Sequence, residues 1–292
     1  MRRCMFLILA LATLLPTLAQ AYDILVLQSR RDPAYEEALK GFRTTNSNSQ
    51  RTIVLSDYAE VDVVRIVRED RPRMILAVGD AALTATRTVQ QTPVIALMAL
   101  GIHKLKASHS NLTGVGMFAP PERYITLFQT MATHRVGVIY NPARSGWYVQ
   151  YARHMAEKAG IELVTREVSA PRNTLAQLSS LAGKVDALWM LPDVTAVARE
   201  TVEAYFRFGQ EQRIPVISFA GSYLGLGAAA VVEINPTELG RQGGTMAAAI
   251  LDGSNPSAMP VRYAHGTAYK TNNSVLKKFG SLFGKMKRLP TH

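Results

Sequence analysis

The segment Met74-Ile-Leu-Ala-Val78-Gly79-Asp80-Ala81 joins a short apolar run to a glycine and a polar residue that can start a helix. The same order recurs where residues 136–140 lead into Asn141-Pro142 and where residues 187–191 lead into Pro192-Asp193. A short buried strand that ends at a polar residue and continues into an amphipathic helix is typical of parallel βαβ units. The sequence therefore predicts an α/β fold with parallel sheets.

Both halves of the chain repeat this pattern, which predicts two Rossmann-like lobes. In the first half we expect strands at residues 23–28, 52–55, 74–78 and 94–97, and helices at 33–42, 61–69 and 81–89. In the second half we expect strands at residues 136–140, 162–167, 187–191 and 216–219, and helices at 145–158, 174–181 and 194–211. Ligands of open parallel sheets bind beyond the carboxyl ends of the strands, so we expect the site there.

Three extended segments, residues 111–117, 229–235 and 260–264, are placed to connect the lobes. The first two are followed by predicted helices at 122–131 and 237–251. Three crossings indicate a hinge rather than a single flexible linker, and a hinge implies a cleft that opens and closes. The expected N-terminal lobe contains residues 22–116 plus about 236–260, and the expected C-terminal lobe contains residues 117–235 plus about 261–292.

Residues 1–21 have the composition of a cleaved secretory signal peptide. Arg2 and Arg3 precede a short apolar stretch from Met5 to Leu15, and the segment ends in Ala19-Gln20-Ala21. The only cysteine, Cys4, lies inside this segment. We therefore expect a periplasmic protein that begins near Tyr22 and has neither a disulfide nor a lipid anchor.

The formal net charge of +11 is concentrated near the C-terminus, where no acidic residue follows Asp252. Because export argues against nucleic acid as a partner, two interpretations stay open: a solvated basic face, or a docking surface for an anionic membrane or an acidic partner. The basic residues after Asp252 are Arg262, Lys270, Lys277, Lys278, Lys285, Lys287 and Arg288.

Two aspartates follow predicted strands and have two interpretations each. Asp193 and Asp80 can cap the helix that follows them, or their carboxylates can hold the ammonium group of an amino acid. Ser29, Arg30 and Arg31 follow the first strand, where an arginine can clamp an anion or simply be part of a solvated turn.

Two loops of the second half can contact a ligand. The loop from Asn141 to Tyr148 contains Trp147, whose ring can stack on a ligand or pack in the core or rim. Residues 219–227 contain three glycines and suit a loop that wraps a ligand, but their spacing is not that of a dinucleotide fingerprint.

The chain offers little basis for catalysis. Its six histidines show no metal-ligand spacing, no Gly-x-Ser-x-Gly sequence occurs, and no cysteine would remain after export. We expect neither a metal nor a cofactor, and we expect a binding protein rather than an enzyme.

A series of segments has a recognisable order and spacing: Gly114-Val115, 136–142, 160–164, 182–187, Pro192-Asp193 with Thr195, 214–217, and Glu238-Leu-Gly-Arg-Gln-Gly243 with Met246-Ala-Ala. Together they resemble the substrate-binding proteins of ABC transporters in the tryptophan/tyrosine-binding, TrpX-like family. The resemblance implies the type I periplasmic binding fold, an aromatic or related amino acid as ligand and an ABC permease as partner.

The chain departs from this family at two loops. Residues 97–101 read Leu-Met-Ala-Leu-Gly where relatives often have a polar loop with an aspartate, and residues 79–82 read Gly-Asp-Ala-Ala where relatives often have a Thr-Pro-Ala type of sequence. An acid at that helix start disfavours a ligand carboxylate directly beside it, because like charges repel in a sheltered cleft.

The sequence thus predicts a monomeric periplasmic solute-binding protein of an ABC importer, which closes two lobes on a small polar ligand such as an amino acid or related metabolite. A sensor subunit read by a membrane receptor or kinase, and an exported α/β enzyme that uses Asp80 or Asp193 as a base, are the alternatives. The predicted ligand-binding residues are Ser29, Arg30, Gly79, Asp80, Ala81, Asn141, Trp147, Pro192, Asp193, Ala220 and Ser222.

Overall fold

A computed structural model describes residues 22–279 of the 292-residue chain. The predicted signal peptide, residues 1–21, lies outside the described residues. Within residues 22–279 the chain forms eleven strands, β1–β11, and eleven α-helices, α1–α11, numbered here in chain order. They build the α/β fold with two mainly parallel sheets that the sequence predicted.

The first lobe is built around a five-stranded parallel sheet with the strand order β2-β1-β3-β4-β5. Every residue of β1, β3 and β4 is buried, as expected for strands that helices cover on both faces. The strands are β1 Ile24–Gln28, β2 Gln50–Val54, β3 Met74–Val78, β4 Val94–Leu97 and β5 Leu112–Gly114, and the helices between them are α1 Pro33–Thr45, α2 Val63–Asp70, α3 Asp80–Ala85 and α4 Ile102–Lys106.

The second lobe is built around a six-stranded sheet with the order β11-β10-β9-β8-β6-β7, in which only the edge strand β11 runs antiparallel. The strands are β6 Arg135–Tyr140, β7 Glu162–Glu167, β8 Ala187–Trp189, β9 Val216–Ser218, β10 Ala230–Ile234 and β11 Thr267–Thr271. The helices are α5 Pro121–Thr130, α6 Pro142–Lys158, α7 Thr174–Ser180, α8 Val202–Gln212, α9 Ser222–Leu226 and α11 Asn273–Leu276.

The chain passes between the two sheets three times. It leaves β5 for α5, returns from β10 to helix α10 (Pro236–Leu251), which packs against α1, and leaves again for β11. The first and third connections run side by side, because Gly116 N–H donates to the carbonyl of Arg262 at 2.9 Å. We call residues 114–118, 234–236 and 260–264 the hinge. The residue boundaries proposed for the two lobes stay a prediction.

Helices α1 and α10 meet backbone to backbone through glycines. A Cβ atom on Gly240 would lie 1.9 Å from the carbonyl oxygen of Ala38, and one on Gly41 would lie 1.9 Å from the carbonyl oxygen of Thr237. Such distances are far below van der Waals contact, so no side chain fits between the two helices at either glycine. This contact holds α10 in the first lobe although its preceding strand belongs to the second.

The structure differs from the sequence prediction at the segment before α8. The helix expected at residues 194–211 begins only at Val202, and residues 194–201 form turns. The reason is local: the Asp193 carboxylate accepts the N–H groups of Thr195 and Ala196, and the Thr201 hydroxyl donates to the carbonyl of Ala196. Side-chain hydrogen bonds of this kind compete with the helix for backbone groups.

Two other elements also end early or were missed. The helix expected at 81–89 ends at Ala85, where the Thr86 hydroxyl donates to the Leu83 carbonyl at 2.8 Å. Strand β11 was not predicted, because its alternating, half-exposed residues lack the apolar run that marks the other strands.

The contact of α1 with α10 makes a testable prediction. Gly240→Ala forces a methyl group against the Ala38 carbonyl, so the free energy of unfolding should fall by about 1–3 kcal/mol in urea titrations. Gly225→Ala is the matched control, because Gly225 lies in α9 with no atom near its Cβ position. We expect it to change stability by less than about 1 kcal/mol. Equal losses for both variants would contradict the packing described here.

Candidate functional site

A cleft with a volume of about 980 Å³ separates the two lobes. Its walls come from the loops after β1, β3 and β4 of the first lobe, from those after β8 and β9 of the second, and from the hinge after β10. These loops follow the carboxyl ends of the strands, which is where the sequence pattern placed the site.

Apolar side chains from both lobes and from the hinge line much of this cleft. Met98 and Leu100 come from the loop after β4, Met117 and Ile234 belong to the hinge, and Phe219 follows β9. Met98 has a φ of 56°, in the left-handed region that a bulky residue rarely adopts. Local strain of this kind is concentrated at binding sites, where the surrounding structure enforces it.

Each lobe also brings an ion pair to the cleft. In the first lobe, Arg30 Nη2 lies 2.7 Å from Asp32 Oδ2, and the guanidinium carbon lies 5.5 Å from the centre of the Tyr35 ring. In the second lobe, Lys270 on β11 pairs with Glu233 on β10. The side chains of Arg30 and Lys270 are 63% and 53% exposed, so both cations are accessible to a solute.

Asp80 lines the cleft and fixes the loop that carries Met98. Its carboxylate accepts the N–H of Gly101 at 2.8 Å and the N–H of Leu100 at 3.2 Å. The N-cap of α3 is Gly79, and no side chain caps that helix. The capping interpretation of Asp80 is therefore wrong, and the residue instead connects the loops after β3 and β4.

Asp193 is occupied by protein donors. The residue is only 2% exposed. Four groups donate hydrogen bonds to its carboxylate: the N–H groups of Thr195, Ala196 and Asn141, and the Ser145 hydroxyl. Each oxygen of this carboxylate already accepts two hydrogen bonds from the protein, which leaves no site for a ligand ammonium. The N–H groups two and three residues on are those that a helix cap would bond, but here they belong to a turn, because the helix begins only at Val202. Asp193 also joins the loops after β6 and β8.

The Asp193 cluster extends to Tyr205 of α8. The hydroxyl of this fully buried tyrosine has no hydrogen-bond partner. Burial, together with the nearby Asp193 carboxylate, raises the pKa of Tyr205 far above its usual range. The phenol therefore stays neutral and acts as a packing residue.

Trp147 lies outside the cleft, against the hinge. Its ring stacks on His103 of the first lobe and meets the edge of Phe118. Of the two interpretations of this residue, the structure places it in the packing between the lobes. The position follows from α6, on which Trp147 and the buried Tyr148 face the second-lobe core and the hinge.

Other predicted residues support the cleft from behind. Ser29 Oγ accepts the N–H of Ala82 at 2.8 Å, which ties the loop after β1 to α3. Gly79 has a φ of 89°, and a Cβ there would meet the Tyr35 hydroxyl and Ser29 Oγ. Asn141 caps α6, because its Oδ1 accepts the N–H of Ala143 at 2.9 Å.

Four predicted site residues line the cleft: Arg30, Asp80, Pro192 and Ala220. The other seven do not line it: Ser29, Gly79, Ala81, Asn141, Trp147, Asp193 and Ser222. Sequence reasoning missed the lining residues Tyr35, Met98, Leu100, Met117, Phe219, Glu233, Ile234 and Lys270. Phe219 is the last residue of a predicted strand and could have been found, whereas Lys270 lies on the strand that the sequence did not reveal.

Two features are absent from residues 22–279. These residues contain no cluster of three or more histidine, cysteine or acidic side chains that could hold a metal ion. None of the helices they form is long and apolar enough to cross a membrane.

A family model described as ABC transporter substrate binding protein matches residues 32–284. The chain belongs to this family. Its members bind substrates and are not catalysts, in agreement with the sequence prediction of a binding protein. Substrate-binding proteins of ABC transporters work outside the cytoplasm, and they serve transport of small molecules.

The amino-acid sequence of this substrate-binding protein is similar to that of a relative at low identity. It is 26% identical over 219 residues to a tyrosine-binding protein of Clostridioides difficile strain R20291, a match that covers 71% of this chain and 63% of the relative. The chain thus spans less than two thirds of the length of that relative.

Solved structures with the same fold cover most of the chain. An ABC domain in complex with L-Trp from Streptococcus pneumonia has a TM-score of 0.64 at 20% identity and covers 88% of this chain and 94% of its own. A ligand-free, open substrate-binding protein with adhesive properties from Clostridium difficile has a TM-score of 0.67 at 24% identity, with coverages of 89% and 95%. A periplasmic binding ribose operon repressor protein from Lactobacillus acidophilus has a TM-score of 0.51 at 9% identity, with coverages of 82% and 94%. The predicted type I periplasmic binding fold is confirmed.

The four donors around Asp193 make a prediction about stability. Asp193→Asn replaces one acceptor oxygen by an NH₂ group that faces donors, so the free energy of unfolding should fall by about 3 kcal/mol in urea titrations at pH 7. Asp252→Asn is the control, because Asp252 is exposed at the end of α10, and we expect a change within about 0.5 kcal/mol. Unchanged stability of Asp193→Asn would show that this carboxylate is free for another role.

Proposed function

We propose that this protein captures an aromatic amino acid in the cleft between its lobes and delivers it to the permease of an ABC importer. The observation that carries the proposal is the combination of apolar and charged groups in one cleft. Met98, Met117 and Phe219 offer an apolar surface, while Arg30 and Lys270 with their paired carboxylates offer both signs of charge.

An aromatic amino acid matches this combination in its own structure. Its ring removes apolar surface from water on binding, and thioether sulfurs make favourable contacts with aromatic rings. Its carboxylate suits the planar guanidinium of Arg30, and its ammonium suits an exposed carboxylate. The similar tyrosine-binding protein and the L-Trp complex support the same ligand class.

Lobe closure would bury such a ligand between the strand-end loops. A closed form presents the outer faces of both lobes together, and the permease can read this arrangement as the loaded state. We further propose that the protein works in the periplasm after removal of residues 1–21, whose composition is that of a signal peptide.

Isothermal titration calorimetry against L-tyrosine, L-tryptophan and L-phenylalanine tests the ligand class. We expect at least one of these amino acids to bind with a stoichiometry of one per protein. Tyramine, which lacks the carboxylate, should bind at least about 100-fold more weakly. D-ribose and L-glutamate serve as controls with the wrong side-chain chemistry. Binding of a control, together with no binding of any aromatic amino acid, would overturn the proposal.

Asp80 is the carboxylate that we assign to the ligand ammonium, because it lines the cleft and is exposed. Asp80→Asn keeps one acceptor for the neighbouring loop but loses the charge. The affinity for L-tyrosine should fall about 10-fold or more, while the affinity for 3-(4-hydroxyphenyl)propionate, which lacks the ammonium, should change little.

A matched carboxylate outside the cleft provides the control for this experiment. Asp57 is ion-paired with Arg31 in the first lobe and does not line the cleft, so Asp57→Asn should leave both affinities unchanged. Equal losses for the two ligands in Asp80→Asn would mean that Asp80 acts only by fixing its loop.

A further inference from the structure

An aromatic stack joins the two lobes at the hinge. The rings of His103, on α4 of the first lobe, and Trp147, on α6 of the second lobe, have centroids 3.6 Å apart and planes inclined by 25°. Two hinge residues complete the cluster: Phe118 meets the Trp147 ring edge-on at 5.3 Å, and Tyr263 stacks at 6.3 Å. His103 is thus the first lobe's contribution to an aromatic cluster of the second lobe and the hinge.

The stack lies at the hinge and not at the rim of the cleft. A Cβ atom on Gly116, in the first hinge connection, would lie only 3.0 Å from Nε2 of His103. Tyr263, in the third connection, is the stacked neighbour of Trp147. When two bodies rotate about a hinge, points close to the hinge move least, so this contact can persist while the cleft opens and closes.

The chemistry of the contact also suits movement. Nε2 of His103 and Nε1 of Trp147 are both buried, and neither has a hydrogen-bond partner. Burial lowers the pKa of His103 to about 4, so its ring is uncharged near pH 7. A face-to-face contact of neutral rings without directional hydrogen bonds resists separation but lets the rings slide over each other.

The same stretch of chain reaches the cleft. Leu100 lies three residues before His103, lines the cleft, and packs against the core of the second lobe. Its N–H is one of the two groups that Asp80 holds. A displacement of His103 relative to Trp147 would therefore also displace one wall of the cleft.

We propose that His103 is a positioning residue for ligand capture, because its ring, stacked on Trp147, forms the pivot on which the two lobes rotate. The pivot keeps the two cleft walls aligned, so that closure brings them onto the same ligand. The effect of this pivot on ligand affinity rests on the proposed function, whereas its effect on the arrangement of the lobes is independent of that function.

Distances between spin labels on the two lobes test the pivot without any ligand. Labels are attached at Glu69→Cys on α2 and Glu157→Cys on α6, both exposed, in a chain whose single cysteine is removed by Cys4→Ser. His103→Leu keeps apolar bulk but removes the flat ring, whereas His103→Phe keeps a flat ring. We expect His103→Leu to broaden the distance distribution about twofold and His103→Phe to keep the parental width.

His154→Leu is the matched control, because His154 is an exposed histidine on α6 outside the aromatic cluster, and it should keep the parental width. A parental width for His103→Leu would overturn the proposal. A His103→Phe distribution as broad as that of His103→Leu would overturn it too, because stacking would then not be the cause. His103→Phe keeps the test decisive if the leucine variant does not fold.

Titration with L-tyrosine adds a second readout. If L-tyrosine binds the parent protein, His103→Leu should weaken it about 10-fold, since fewer molecules have aligned walls, and His103→Phe should restore the affinity. If no aromatic amino acid binds any variant, the proposed function fails while the spin-label distances still decide on the pivot.

Discussion

The backbone contact between helices α1 and α10 is the constraint on which the rest of the molecule depends. Strand β10 of the second lobe ends at Ile234, and α10 begins at Pro236, so one residue separates a strand of one lobe from a helix fixed to the other. That residue, Asn235, makes hydrogen bonds through its side chain and its backbone. Its Oδ1 accepts the N–H of Glu238, and its N–H donates to the carbonyl of Gly266 at 2.8 Å. Because glycines bring α1 and α10 into direct contact, α10 cannot shift without breaking the first lobe, and the floor of the cleft has a defined position.

Carboxylates at the ends of strands hold the neighbouring loops in place by accepting hydrogen bonds from backbone N–H groups. Asp193 joins two loops of the second lobe and is fully used by protein donors, and Asp80 holds the loop after β4 in the first lobe. Asp186, at the opposite end of the second sheet, accepts the N–H groups of His134 and Arg135 in the same way. A buried loop needs partners for its backbone groups, and a carboxylate can satisfy several of them at once. The cations of the cleft, Arg30 and Lys270, are more exposed and remain accessible to a ligand.

The fold could be predicted because its signal is local, whereas much of the site depends on distant parts of the chain. An apolar run such as Met74–Val78 followed by a helix start identifies a buried parallel strand without further information. The same pattern could not show that Trp147 faces the hinge, because a helix residue's partner is set by how the helix packs. Nor could the pattern place Lys270 at the cleft. Strand β11 reaches the cleft only because it pairs antiparallel with β10, a strand some forty residues earlier in the chain. The apolar loop at residues 97–101 packs against the core of the second lobe through Leu100.

The central claim is that the two lobes close on an aromatic amino acid held between the carboxyl ends of both sheets. A crystal structure of the protein grown with L-tyrosine tests it most directly. The account predicts electron density for the ligand in the cleft, with the ring against Met98 and Phe219, the carboxylate at Arg30, and the second lobe rotated toward the first. Density for the ligand outside the cleft, or a ligand bound to one lobe with its ring turned away from Met98 and Phe219, would contradict it.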